Sequence, residues 1–451
     1  EAELTQLDAA LAAARAGDGR AIWLAAPAGT GKSRVVQELE LRARLAGAVV
    51  IHGACHDEGM APYEALTRAL RDSLALGTGA DAARYTGALA RLFPELCDDP
   101  AGVPVPDAEG LAEAVVSWVG QLAGKAPVLW LMDDLHWADA QTVEVLNQAV
   151  RALRGQPVLI IGTFRDDETP AGSPVWRTID DGDAEQLKLA PLNREGQGAL
   201  LSAMMPGAAV PEAFAQGLHD ATGGNPFYLT EVLRSLMEDG HLARRRGAWR
   251  FPEDPNVLRP LNSMEATIRR RLAHLPRGPR RTLAVAAVLG HDWDLASLRE
   301  ASGMSDDDLL ADLDELVARQ FLALTACGAY RFPHDRVREV TYWELAPQQR
   351  AALHQRAGEV LEAKWGDQAA AHAHDLAPHF LEGGDGERAH RYLMLAAEQA
   401  DEAGADLIAV NHWRAAEGVL VREGVADADP RMLQVRFLVG WNGFVTFPEV
   451  A

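Results

Sequence analysis

Ten residues near the start of the chain, Ala25-Ala26-Pro27-Ala28-Gly29-Thr30-Gly31-Lys32-Ser33-Arg34, restrict its fold more than any other stretch. A short apolar run, Ala21 to Ala25, precedes them, and Val35, Val36, Leu39 and Leu41 follow at helical spacing. A buried strand, a glycine-rich turn and a helix are the setting in which such a loop wraps phosphate. Small residues let backbone N–H groups curl around phosphate oxygens, and the helix N-terminus adds partial positive charge. Pro27, Ala28, Gly29, Thr30, Gly31, Lys32, Ser33 and Arg34 are therefore expected to form a phosphate-binding loop. Lys32 would reach the β- and γ-phosphates of a nucleotide, and the Ser33 hydroxyl would ligate Mg²⁺. Ala26 stands where the common pattern has its first glycine, at an expected mild cost because a methyl is small. The plain alternative is a chance glycine turn before a helix, and the strand–turn–helix context weighs against it.

A second site residue should lie at the end of another buried strand. Pro127 to Met132 is such a run, and it ends in Asp133-Asp134. In that place the first carboxylate is expected to hold Mg²⁺ through water and the second to polarise an attacking water. Adjacent residues on a strand point to opposite faces, so each acid can take a different task. An acidic surface turn is the alternative. Next, Asp139 is placed to cap a helix carrying Val143, Val145 and Leu146, and His136 and Trp137 read as packing residues. A third strand, Pro157 to Thr163, leads into Arg165, from which a guanidinium can reach a γ-phosphate. Arg165 reads equally well as a surface arginine paired with Asp166 or Asp167.

The bulk numbers set limits. A chain of 451 residues holds about three or four domains. At 48% hydrophobic and 24% charged it can bury cores, and no apolar run is long enough to span a bilayer. The first residues do not read as a secretion signal. Cys55, Cys97 and Cys327 have neither disulfide-framework nor zinc spacing, which leads to the expectation of a reducing cytoplasm. A net charge of −22 argues against this segment coating nucleic acid, whose affinity comes largely from basic contacts to phosphates. The absent initiator Met and the apolar tail Trp441 to Phe447 suggest a segment cut from a longer protein.

Taken in order, APAGTGKSR, LMDDLHWAD, IIGTFRDDE, TGGNPFYLTEVLRSL and FPHDRVREV resemble the STAND class of P-loop signalling ATPases. Within that class the chain is most similar to the ATPase module of large bacterial LuxR-type transcriptional activators, over about residues 1–345. The resemblance implies an ADP-bound, closed resting form. It makes Lys32 and Ser33 the phosphate and Mg²⁺ residues, Asp133 the Mg²⁺-side acid, Asp134 the hydrolytic base and Arg165 the γ-phosphate sensor. It makes Gly223-Gly224-Asn225-Pro226 the turn that packs on the base and ribose. Read locally, the same residues are helix punctuation, with glycines ending one helix and Pro226 opening the next. It also implies that His334 touches the β-phosphate of ADP and clamps a winged-helix domain shut. The bland reading has Asp335 favouring a helix N-terminus with His334 half exposed. No arginine finger is assignable, which argues against fast unaided hydrolysis.

The expected architecture is an α/β P-loop NTPase over residues 1–190, a helical lid over 191–262, a winged helix over 263–346 and tetratricopeptide-like helical repeats over 347–451. Leu322 to Thr325 and Tyr330 to Phe332 read as wing strands around Ala326-Cys327-Gly328. The basic segments Arg244 to Arg250 and Arg269 to Arg281 read as solvated or acid-paired faces rather than as DNA contacts, and Pro252, Pro255 and Pro260 mark a loop. From Pro347 the chain is alanine-rich, with Ala389, Ala396, Ala397 and Ala400 and then Ala405, Ala409, Ala415 and Ala416 placed where paired helices meet. Only about two such pairs are visible, so the array is expected to continue beyond Ala451. The first functional reading is a switch, ADP-bound at rest and ATP-bound when active, with an inducer or protein partner on the repeats. It carries possible self-association in the ATP state, DNA contact only through a domain outside this segment, and no membrane. A work-performing AAA-like remodelling ATPase is the alternative, and a metabolic kinase is a weaker third.

Overall fold

The computed structural model describes residues 2–56, 61–74, 89, 93, 108–245, 248–252, 254–258, 263–291, 293–325 and 328–446. Of the positions singled out above, Cys97, Arg246, Gly247, Pro260, Ala326, Cys327 and Phe447 lie outside the described residues. The chain divides into two compact units. One comprises Glu1–Pro27, Lys32–Leu189 and Asp367–Ala451, and the other Ala28–Gly31 and Ala190–Gly366. The expected fourth segment, 347–451, is divided between them at Gly366, and the tip of the glycine-rich loop belongs to the second.

In the first unit, α1 (Ala2–Arg15), β1 (Arg20–Ala25), α2 (Lys32–Leu45), β2 (Val49–Ala54) and α3 (Glu64–Leu74) are followed by α4 (Ala108–Ala123) and β3 (Val128–Asp133). Then come α5 (Ala140–Ala152), β4 (Val158–Phe164), α6 (Pro174–Asp180) and β5 (Glu185–Lys188). The five strands form one parallel sheet in the order β2–β3–β4–β1–β5. Strands covered on both faces must be apolar throughout, and all seven residues of β4 are buried. Leu7 and Leu11 of α1 and Val36 and Leu39 of α2 share one core with Ile22, Leu24, Leu129, Leu131, Leu159 and Ile161.

The strand order matters for function. After β1 the chain crosses to the far edge for β2, and β3 and β4 then fill the gap. Ala25 pairs with Phe164, and Met132 with Gly162, so β1, β4 and β3 end side by side. In parallel sheets the loops beyond the carboxyl ends, where the order reverses, are where ligands bind. The loop after β1, the acids after β3 and Arg165 after β4 all leave the sheet at that edge.

In the second unit, α7 (Arg194–Met204), α8 (Glu212–Thr222) and α9 (Pro226–Glu238) share a core of Leu201, Phe214, Leu218, Leu229, Val232 and Leu236. A two-stranded ribbon follows, β6 (Ala243–Arg245) and β7 (Ala248–Arg250). Next are α10 (Met264–Ala273), α11 (Arg277–Leu289), α12 (Leu295–Ser302) and α13 (Asp306–Ala318), then β8 (Ala323–Leu324) antiparallel to β9 (Tyr330–Arg331). α14 (Asp335–Trp343) and α15 (Pro347–Trp365) complete it. Ile268, Leu283, Leu298, Leu313, Phe321 and Val337 bring these helices into a second core.

The remaining helices belong to the first unit: α16 (Ala373–Gly383), α17 (Gly386–Glu402), α18 (Asp406–Arg422) and α19 (Pro430–Thr446), each packed on the next. Ala389, Ala396, Ala397 and Ala400 of α17 and Ala409 and Ala416 of α18 are buried where the helices meet. Among the described residues, no helix is long and apolar enough to cross a membrane.

Candidate functional site: the phosphate loop and the acids facing it

In the first unit the loop closes onto α2. Lys32 is the first residue of that helix and is buried, while Ser33 and Arg34 beside it are exposed at the helix start. The Lys32 ammonium donates to the carbonyls of Ala26 (2.6 Å) and Pro27 (3.2 Å). Burial lowers its pKa, an effect that the Asp134 carboxylate opposes and the Arg165 guanidinium reinforces. A desolvated ammonium held by two neutral carbonyls is poorly compensated, and an anion at this place relieves it. The residues therefore fit a phosphate group.

β3 ends at Asp133, and the next residue leaves the sheet. Asp134 has left-handed backbone angles (φ 56°, ψ 47°) and starts a single 3-10 turn, Leu135–Trp137. The two acids were expected to diverge by strand alternation; instead, the backbone turn separates them. Aspartate is among the few residues that accept this conformation. The Asp134 N–H donates to Thr163 Oγ1 (2.9 Å), and the Thr163 hydroxyl donates to Asp133 Oδ1 (3.2 Å). On its other oxygen, Asp133 accepts from His52 Nε2 at 3.1 Å, and His52 Nδ1 lies 3.4 Å from Glu40. The hydrogen bond to Asp133, with the charges of Asp133 and Glu40, raises the His52 pKa against the opposing effect of burial. Asp133 is thus held in one orientation by β2 on one side and β4 on the other.

Arg165 is not a surface arginine. It is 3% exposed, its Nη1 donates to Glu168 at 2.9 Å, and its guanidinium lies 4.6 Å above the Trp137 ring. Asp166, the alternative partner, pairs with Lys188 at 3.1 Å. Trp137, read from sequence as packing, is the platform that positions this cation. Asp139 caps α5 as expected, accepting from the Thr142 N–H at 2.7 Å.

In the second unit, Ala28–Gly31 supplies the tip of the loop. Gly29 and Gly31 have φ of +78° and +106°, values that side chains resist. The Ala28 carbonyl accepts from Asn225 Nδ2 (2.8 Å), and the Gly29 carbonyl from the Phe227 N–H (3.2 Å). Locally the punctuation reading holds as well: Gly223 ends α8 in the left-handed region, Asn225 caps α9 and Pro226 is its first residue. His334 caps α14, with Nδ1 accepting the Arg336 N–H at 3.1 Å, and its ring stacks on Phe227. The residues this arrangement adds are His52, Thr163, Trp137, Glu168 and Phe227. Each acts through a neighbour in space, and nothing in its local sequence marks it.

Residues 1–161 match the family model of the AAA ATPase domain. An uncharacterized protein of Rhizobium meliloti is 25% identical over 435 residues, covering 87% of this chain and 41% of its own length. The chain thus spans less than half of that relative. Among solved structures, a STAND protein with a tetratricopeptide repeat sensor from Pyrococcus horikoshii is 13% identical. It covers 97% of this chain and 64% of its own, at a TM-score of 0.49. The Orc1 protein of Aeropyrum pernix, solved in complex with DNA, is 16% identical over 76% of this chain and 91% of its own, at a TM-score of 0.35. The AAA match and the parallel sheet agree on a P-loop ATPase fold.

Proposed function

We propose that this chain is the nucleotide-dependent switch core of a signalling ATPase, resting with ADP, active with ATP and reset by slow hydrolysis. The observation that carries the reading is the fastening of the glycine-rich tip. Within the unit that holds His334, the Ala28 and Gly29 carbonyls are held by Asn225 and Phe227. A ligand that favours one arrangement of a tip so held shifts the population toward it.

In this reading Pro27 to Arg34 hold the phosphates, Lys32 neutralises their charge, and Ser33 with Asp133 holds Mg²⁺. The bound Mg²⁺ draws charge from the phosphate oxygens. Asp134 accepts a proton from the attacking water, Arg165 reads the γ-phosphate, Pro226 packs on the base, and His334 donates to the ADP β-phosphate. Helices α10 to α14 with β8 and β9 act as a winged-helix switch. Helices α16 to α19 act as tetratricopeptide-like repeats that receive an inducer or protein partner. The ATP state self-associates, and the whole serves as the regulatory core of a transcriptional regulator whose DNA contact lies in a domain outside these residues. Arg270, from the second basic run, pairs with Asp239 at 2.9 Å, which supports reading that run as acid-paired.

The test is to denature the purified protein and identify released nucleotide by chromatography. Near-stoichiometric ADP is expected, lost in Lys32→Ala. An empty site with rapid ATP turnover would overturn the switch in favour of a work-performing remodeller.

A further inference from the structure

Asp133 ends β3 between two neighbours that each hold one of its oxygens. Oδ1 accepts the Thr163 hydroxyl of β4 at 3.2 Å, and Oδ2 lies 3.1 Å from His52 Nε2 of β2. A carboxylate only accepts, so the imidazole proton stands on Nε2. His52 comes two residues before Ala54, the residue paired with Asp133, and so shares its face of the sheet. The ring is braced from behind. Its Nδ1 is 3.4 Å from Glu40 of α2, whose other oxygen accepts from Arg44 Nη2 at 2.8 Å. All of these residues belong to the first unit. Donors from the strands on either side fix the plane of the carboxylate, and each of its oxygens keeps a second lone pair. With 16% of its side chain exposed, Asp133 is reached by solvent, and a hydrated cation fits against it.

We propose that His52 is a positioning residue for the metal: it holds the Asp133 carboxylate in the plane from which that group takes Mg²⁺, and Glu40 keeps the ring in place. This rests on the reading that gives Asp133 a Mg²⁺ to hold. Groups that orient a metal-binding side chain from behind typically change metal affinity by about 10- to 100-fold when they are removed. Without the imidazole, Thr163 alone holds the carboxylate, by one oxygen, and leaves it to turn about that bond. His52→Leu removes the donor and keeps apolar bulk, whereas His52→Gln places an amide N–H where Nε2–H stands.

The experiment titrates Mn²⁺, standing in for Mg²⁺, into the full chain loaded with ADP, and reads free Mn²⁺ by electron paramagnetic resonance. Mn²⁺ affinity is expected to fall about 10- to 100-fold in His52→Leu and to return to within about three-fold of wild type in His52→Gln. ADP binding in the presence of a chelator should be unchanged in both. Where Asp133→Asn weakens Mn²⁺, wild-type affinity in His52→Leu would overturn the proposal. A loss that His52→Gln fails to repair, or an equal loss of metal-free ADP binding, would overturn it too. If Asp133→Asn binds Mn²⁺ as the wild type does, or the wild type binds none, it is the metal reading that fails. The carboxyl ¹³C spectrum of protein with ¹³C-labelled aspartate then decides. An Asp133 signal that moves in His52→Leu and returns in His52→Gln sustains the positioning role, and a signal that stays in place ends it.

Discussion

Asp134 shows how one backbone conformation limits what a mutation can report. Its left-handed φ and ψ cost an alanine about 1 kcal/mol, whereas asparagine accepts them. Asp134→Asn therefore removes the charge and keeps the turn. Single-turnover hydrolysis should fall by roughly 10²-fold or more, the usual contribution of a general base, with nucleotide still retained. Asp134→Ala should lose the same chemistry and melt at a lower temperature than the asparagine variant. If Asp134→Asn hydrolyses ATP at the wild-type rate, Asp134 is not the base. The pair Asp133-Asp134 was readable in the sequence because six apolar residues lead into it. Its support was not, since His52 and Thr163 lie on separate strands and meet Asp133 only once β2, β3 and β4 are ordered.

At the scale of elements, long periodic helices and wholly apolar strands declare themselves, and so does a cap such as Asp139. Two-residue strands like β8 and β9 carry too little pattern to set their own ends. Least visible is what joins one helix to another, and Arg271 of α10 is the clearest case. It sits in a basic run expected to be solvated or acid-paired, and it is acid-paired, but in the core, where it is completely buried. It donates to Glu231 of α9 (2.5 Å), to Glu238 (3.1 Å) and to the Arg319 carbonyl (2.6 Å), and lies 4.4 Å over the Phe321 ring. Removing one partner of such a group leaves a buried charge behind, at about 3–5 kcal/mol. Arg234 still holds the second oxygen of Glu231, so Arg271→Met should cost about 3 kcal/mol, the low end of that range. The double variant Arg271→Met with Glu231→Leu should recover most of the loss in urea unfolding. A double variant no more stable than the single would mean that the ion group contributes shape rather than charge balance.

Acid acts on both units of the molecule at once. His354 in α15 and His412 in α18 are both pushed down to about 4, His354 by burial and then Arg350, His412 by burial and then His374. Unfolded, each imidazole titrates near 6.5, so below that pH the unfolded chain binds more protons than the folded one. Stability is therefore fully present above about pH 6.5 and declines as the pH falls toward 4, below which these two groups add no further loss. His52 opposes this: its raised pKa contributes stability at low pH that fades as the pH rises through its folded value. Burial lowers His390 as well, so three imidazoles stand against one and the balance is a net loss on acidification. By pH 5, where ordinary carboxylates are still ionised, the loss should reach roughly 2 kcal/mol for each of His354 and His412. Urea midpoints at pH 7.5 and pH 5 measure it, and His354→Gln and His412→Gln should each flatten the dependence in the unit that carries it. His354 also shares a hydrogen bond with the Tyr342 hydroxyl at 2.9 Å, which a glutamine amide can replace without a titrating proton. Midpoints that stay level between the two pH values would show that both imidazoles reach solvent in the native state.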